Sequence, residues 1–157
     1  MDAVTYPNDA VANAIATYFE PVQINTQDGS PNTNETVRRF RQVWTPDLRI
    51  LDGEGVELYR WNGYLPPGEF LPQLLAGRAQ ALLRSERGDE AAAAYAEILR
   101  TYPTSFVASE VAYFAAVAQY RVTHEPADLL GTWGRLQARY PMSEWRTKQS
   151  FTEKPPE

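Results

Sequence analysis

Few residues in this chain stand at spacings that do chemistry. Asp47, Asp52, Glu54 and Glu57 gather carboxylates in one short stretch, the residue type that acid–base work or Ca²⁺ would use. However, Asp52-Gly53-Glu54-Gly55 lacks the ligand spacing of a calcium loop, and its short acids and glycines are what a tight turn needs. His124 is the single histidine. It sits beside Glu125-Pro126 with no nucleophile or ligand set around it, so it reads as a surface residue. Cysteine is absent, which excludes disulfides, thiolate nucleophiles and thiolate metal sites. No catalytic residue, cofactor or metal site is therefore expected. What remains is a binding candidate, Trp44, Thr45 and Pro46, where a proline ahead of a strand can leave backbone groups free for an extended peptide.

The elements around that candidate are legible. Leu48 and Ile50 alternate with Asp47 and Arg49, as in a strand with one buried face. Asp52-Gly53-Glu54-Gly55 turns the chain, and Val56, Leu58 and the following aromatics read as the returning strand, giving a hairpin over 47–61. A helix opens at Pro66-Pro67, where proline costs little. Upstream, Asn8 or Asp9 caps a helix carrying Val11, Ile15 and Tyr18. Residues 19–25 read as a short strand with Val22 and Ile24 inward. Residues 26–33 read as a loop, and Asn34 as the cap of a second helix with Val37 and Phe40 buried. Asn34-Glu35-Thr36 also spells a glycosylation sequon, but capping is the reading preferred here.

A Val-x-x-Pro, an apolar strand, an Asp-x-x-Gly turn, a second strand, a glycine and an amphipathic helix follow one another over 43–76. That order resembles the C-terminal half of a thioredoxin-like domain. The resemblance covers about the first half of the chain and implies a cis Thr45–Pro46 bond facing a binding groove, with Trp44, Thr45 and Pro46 as its residues. It also implies a missing Cys-x-x-Cys motif just ahead of Met1, and a missing central strand between 22–25 and 48–51. Bare strand edges recruit other chains, so association with a second copy is expected.

From Pro67 onward strand signals stop. Apolar stripes run through Phe70, Leu74, Ala79 and Leu82, with a bend at Gly77; through Ala92, Tyr95 and Leu99; through Val107, Val111, Phe114 and Ala118; and through Leu129, Trp133 and Leu136. Breaks fall near Gly88, Tyr102-Pro103, His124-Glu125 and Tyr140-Pro141, and a short helix follows Ser143. Tyr95 through Tyr102-Pro103-Thr104-Ser105 aligns with Trp133 through Tyr140-Pro141-Met142-Ser143 at an offset of 38. This looks like tetratricopeptide helix pairs, and two repeats alone are short of an independent solenoid, so the half should lean on helix 67–76. Trp61, Tyr64 and Phe70 read as the seam between the halves.

The expected fold class is α+β: an incomplete thioredoxin-like domain over 1–76 with a cis-proline hairpin, an all-α tetratricopeptide-like region over 77–151, and a disordered tail over 152–157. A net charge of −5 argues against nucleic acid. No signal peptide or membrane span is apparent, so a cytoplasmic protein is expected. The functional expectation is a non-catalytic module binding a peptide or protein. The alternative is the downstream portion of a dithiol–disulfide oxidoreductase whose cysteines lie upstream of Met1.

Overall fold

The computed structural model describes residues 1–152 of the 157, so residues 153–157 of the expected tail lie outside the described residues. Thr152, placed in that tail by the sequence, closes a 3₁₀ turn over Ser150–Thr152. The fold is mostly helical with one small antiparallel sheet: α1 (Asp9–Tyr18), α2 (Pro31–Arg39), β1 (Asp47–Leu51), β2 (Glu57–Asn62), α3 (Pro67–Arg84), α4 (Gly88–Thr101), α5 (Ala108–Thr123), α6 (Pro126–Arg139) and α7 (Glu144–Lys148). No helix among the described residues is long and apolar enough to cross a membrane.

Local signals set most of these elements. Asn8 caps α1, its side chain accepting from the N–H groups of Ala10 and Val11. The buried residues of α1 are Val11 and Ala14, whereas Tyr18 lies exposed with the Arg78 guanidinium 4.1 Å above its ring. The α2 cap is Ser30, not Asn34: Ser30 Oγ accepts from Thr33 N–H, and Pro31 takes the first helical position. Asn34 sits one turn in and donates from Nδ2 to Gly29 O. In the hairpin turn, Asp52 Oδ1 accepts from the N–H groups of Glu54 and Val56, and Gly55 takes φ +76°.

Residues 19–25 form no strand. The sheet has two strands, β1 and β2, so nothing pairs with this segment, and Val22 is 84% exposed. Alternating apolar residues specify a strand only where a neighbour supplies the ladder.

The long helix α3 organises the core. Its first half, with Phe70 and Leu74, packs with Val11 and Ala14 of α1 and with Leu48 and Trp61 of the hairpin. Its second half, with Ala76, Ala79 and Leu82, joins Ala91, Tyr95 and Ile98 of α4 and Val111 and Ala118 of α5. The helix is continuous through Pro72 and Gly77. Gly77 is a point of close approach: a Cβ there would lie 2.6 Å from both Ile50 Cδ1 and Tyr59 Cδ1.

The helical half breaks where the sequence placed its breaks. The offset of 38 extends to backbone geometry. Tyr102 ends α4 at φ −126°, ψ 52°, and Tyr140 ends α6 at φ −127°, ψ 58°. Their N–H groups donate to Ile98 O (2.7 Å) and Leu136 O (2.8 Å), and their carbonyls accept from Ser105 and Ser143 N–H. Tyr95 and Trp133 are buried, as are Ile98 and Leu136 four residues before each tyrosine.

Candidate functional site

Trp44, Thr45 and Pro46 lie on the bend that leads into β1. The Thr45–Pro46 peptide bond is cis. Val43 and Trp44 are 88% and 73% exposed, while Pro46 is half-buried where it enters the sheet. Pro46 O accepts from Gly63 N–H at 2.9 Å, and Trp44 O accepts from the Gln42 side chain at 3.2 Å. Among the described residues the backbone N–H and C=O of Thr45 have no hydrogen-bond partner. The three residues therefore present an exposed indole and a free main-chain donor and acceptor side by side.

The register extends this free backbone into β1. Pro46 pairs across from Gly63 with a direct hydrogen bond, and Leu48 and Ile50 stand opposite Trp61 and Tyr59. Directly opposed residues of an antiparallel ladder alternate between bonded and non-bonded pairs. Positions 46, 48 and 50 thus turn their backbone groups toward β2, as does Asp52, whose N–H donates to Val56 O at 3.0 Å. The ladder irregularity beside Leu51 falls on the β2 side, since Leu51 faces Glu57. Asp47, Arg49 and Leu51 point the other way, along an edge that carries no strand among the described residues, and Thr45 stands at its start with its backbone unbonded.

Side chains on the outer face of that edge are tightly organised. Arg49 reaches Asp47 Oδ2 (2.7 Å), Glu57 and the Phe40 carbonyl (2.9 Å), with its guanidinium 4.9 Å above the Phe40 ring. Hydrogen bonding to Asp47 raises the Arg49 pKa, so the residue is a permanent cation. Asp47 and Glu57, two of the carboxylates considered for acid–base work, are thus consumed in an ion-pair network. Asp52 is consumed in the turn. His124 lies exposed at the end of α5 in the left-handed conformation, φ 58°. Among the described residues no cluster of three His, Cys, Asp or Glu could hold a metal ion.

A second polar group, invisible in the sequence, joins the two halves. Tyr59 Oη donates to Glu110 Oε1 of α5 at 2.8 Å and accepts from Gln73 Nε2 of α3 at 2.7 Å. Burial raises the pKa of Glu110, with the Tyr59 hydrogen bond and Lys148 opposing and Glu144 adding to the rise. Burial also pushes the Tyr59 hydroxyl far above its ordinary value. This group is a latch rather than a site, because it is closed among the hairpin, α3 and α5. Of the residues expected at the seam, Phe70 and Trp61 pack ring to ring at 5.7 Å, but Tyr64 is 53% exposed, and its neighbour Leu65, half-buried, packs against the cluster.

One groove of about 350 Å³ is open to solvent between α1, α3 and α4. It is lined by Ala14 and Tyr18, by Leu71 and Arg78, and by Glu97 and Ile98. Compared with known proteins, the chain matches no family model, no curated protein and no solved structure.

Proposed function

We propose that this chain is a non-catalytic module that binds an extended peptide or protein segment along the edge beginning at Trp44, Thr45 and Pro46. The observation that carries the reading is the free Thr45 backbone next to an exposed indole at the cis Thr45–Pro46 bond. An extended peptide bonding to Thr45, Asp47 and Arg49 would add a strand to β1, with main-chain bonds supplying affinity and Trp44 a stacking or apolar contact. The thioredoxin-like and tetratricopeptide-like resemblances belong to this same proposal. They are supported by the cis bond before the hairpin and by the matched helix ends at Tyr102 and Tyr140. Chemistry at a thiolate is not available to this chain, which has no cysteine.

The test is a titration of ¹⁵N-labelled protein with short extended peptides of alternating apolar residues. Shifts should concentrate at Trp44, Thr45, Asp47 and Arg49. Trp44→Ala should weaken binding at least tenfold without changing the denaturation midpoint, since the side chain is exposed. Shifts confined to the α1–α3–α4 groove would overturn the assignment.

A further inference from the structure

We infer that the β1 edge is self-complementary and pairs with β1 of a second copy of this chain in one register, antiparallel and centred on Leu48. The outward backbone groups belong to Asp47, Arg49 and Leu51, with the unbonded Thr45 backbone at the start of the same edge. A two-fold antiparallel pairing must set these residues against one another, because only they have free N–H and C=O groups on that side. Centres from 46 to 50 all oppose outward residues, but those at 46 and 50 pair only two of the four with one another, which leaves three registers centred on 47, 48 and 49. Pairing Arg49 with Arg49 of the second copy sets two permanent cations face to face, and pairing Asp47 with Asp47 sets two carboxylates so; like charges directly opposed are unfavourable. Centring on Leu48 sets each Asp47 across from Arg49 of the second copy and each Thr45 across from Leu51.

Charge selects that register. The Asp47 and Arg49 side chains share the outer face of the sheet and are largely shielded from water already, 6% and 11% exposed. In the dimer each guanidinium would lie between two carboxylate positions, one from each copy. The remaining charge of Glu57 is offset by Arg60, 3.7 Å away. On the inner face, Leu48 meets Leu48 at the axis in a non-hydrogen-bonded pair, the closest kind of cross-strand contact. Leu51, 38% exposed in the single chain, gains cover beside Thr45. The partner is thus a second copy, and peptide and second copy compete for one edge. The dimer itself does not depend on the peptide reading.

Because the chain has no cysteine, single thiols report the register without background. Sedimentation of the full chain from about 1 to 300 µM should show a reversible monomer–dimer equilibrium. Under mild oxidation Thr45→Cys and Leu51→Cys proteins, both altered at exposed positions, should cross-link when mixed and not when alone. Leu48→Cys should cross-link with itself, the opposed Cα spacing of roughly 4.5 Å being within disulfide reach. Asp47→Arg should raise the dimer dissociation constant at least tenfold, and the double swap Asp47→Arg/Arg49→Asp should restore it. A monomer at every concentration overturns the inference. So does a dimer in which the mixed Thr45→Cys and Leu51→Cys proteins fail to cross-link.

Discussion

Gly77→Ala should destabilise the protein, although the substitution favours the helix it sits in. In α3 the exchange recovers about 1 kcal/mol of helix propensity. Against this, the new Cβ would stand 2.6 Å from Ile50 Cδ1 and 2.6 Å from Tyr59 Cδ1, with Tyr59 Cε1 at 3.2 Å. Neither neighbour gives way freely. Ile50 is buried at 8% exposure, and the Tyr59 ring is held at its hydroxyl by Glu110 and Gln73. Overpacking of this kind costs roughly 1–3 kcal/mol, and more where the neighbours are fixed. The expected balance is a net loss of about 1–2 kcal/mol after the helix gain is subtracted. Urea melts of both proteins would read it as a lower midpoint at unchanged m-value. Gly134→Ala is the control: that glycine lies exposed in α6 with nothing within 4 Å of its Cβ position, so the change should stabilise by about 0.5–1 kcal/mol. If Gly77→Ala stabilises as much as Gly134→Ala, the hairpin does not rest on α3 at this point and the packing argument fails.

The latch at Glu110 should show in the pH dependence of stability. Its folded-state pKa is raised, so the folded chain holds the proton longer than the unfolded chain, and stability falls as pH rises from about 4.5 through the raised value. Glu110→Gln keeps an acceptor for Tyr59 and should remove that decline; parallel stability–pH curves for the two proteins from pH 4 to 8 would refute the buried-carboxyl reading. Trp133→Ala should cost about 3–5 kcal/mol in chemical denaturation, because the indole is 5% exposed, stacked on Tyr113 at 4.9 Å, and donates to Tyr113 O. A loss within about 0.5 kcal/mol, typical of surface positions, would show that Trp133 does not share the core role of Tyr95.

What the sequence could convey divides along sequence separation. The Asn8 cap, the Asp52 turn and the Tyr-Pro-x-Ser helix ends are decided by residues within a turn of one another, and each stands where its local chemistry put it. The α2 cap was legible too: Ser30-Pro31 combines a capping hydroxyl with proline at the first helical position, a stronger pair than Asn34 alone. Residues 19–25 failed for a different reason, since Val22 and Ile24 satisfy a strand pattern that only a neighbouring strand could realise. The close approach at Gly77 was not legible, because it is made by Ile50 and Tyr59, which no local pattern connects to that glycine. Tyr59 and Glu110 stand 51 residues apart, and no periodicity connects such a pair. For the candidate site, Trp44, Thr45 and Pro46 could be singled out in the sequence as candidates, but which edge of β1 is open follows from the register with β2.

That open edge depends on α3. A two-stranded hairpin is marginal by itself and ordinarily needs a third strand or a helix to persist. Here the helix takes that part: Leu48 and Trp61 join the Phe70 and Leu74 cluster, Gly77 lets Ile50 and Tyr59 approach the α3 backbone, and Gln73 and Glu110 fix the Tyr59 hydroxyl. All of these contacts hold the hairpin through its inner face and through β2. None of them uses the outward N–H and C=O groups of Asp47, Arg49 and Leu51 or the unbonded backbone of Thr45. Stability is therefore supplied without closing the edge, and a strand can be added there without dismantling any contact that keeps β1 in place. A chain that gained a third strand of its own would lose this property, whereas one that lost the Gly77 and Tyr59 seat would lose the hairpin and the edge together.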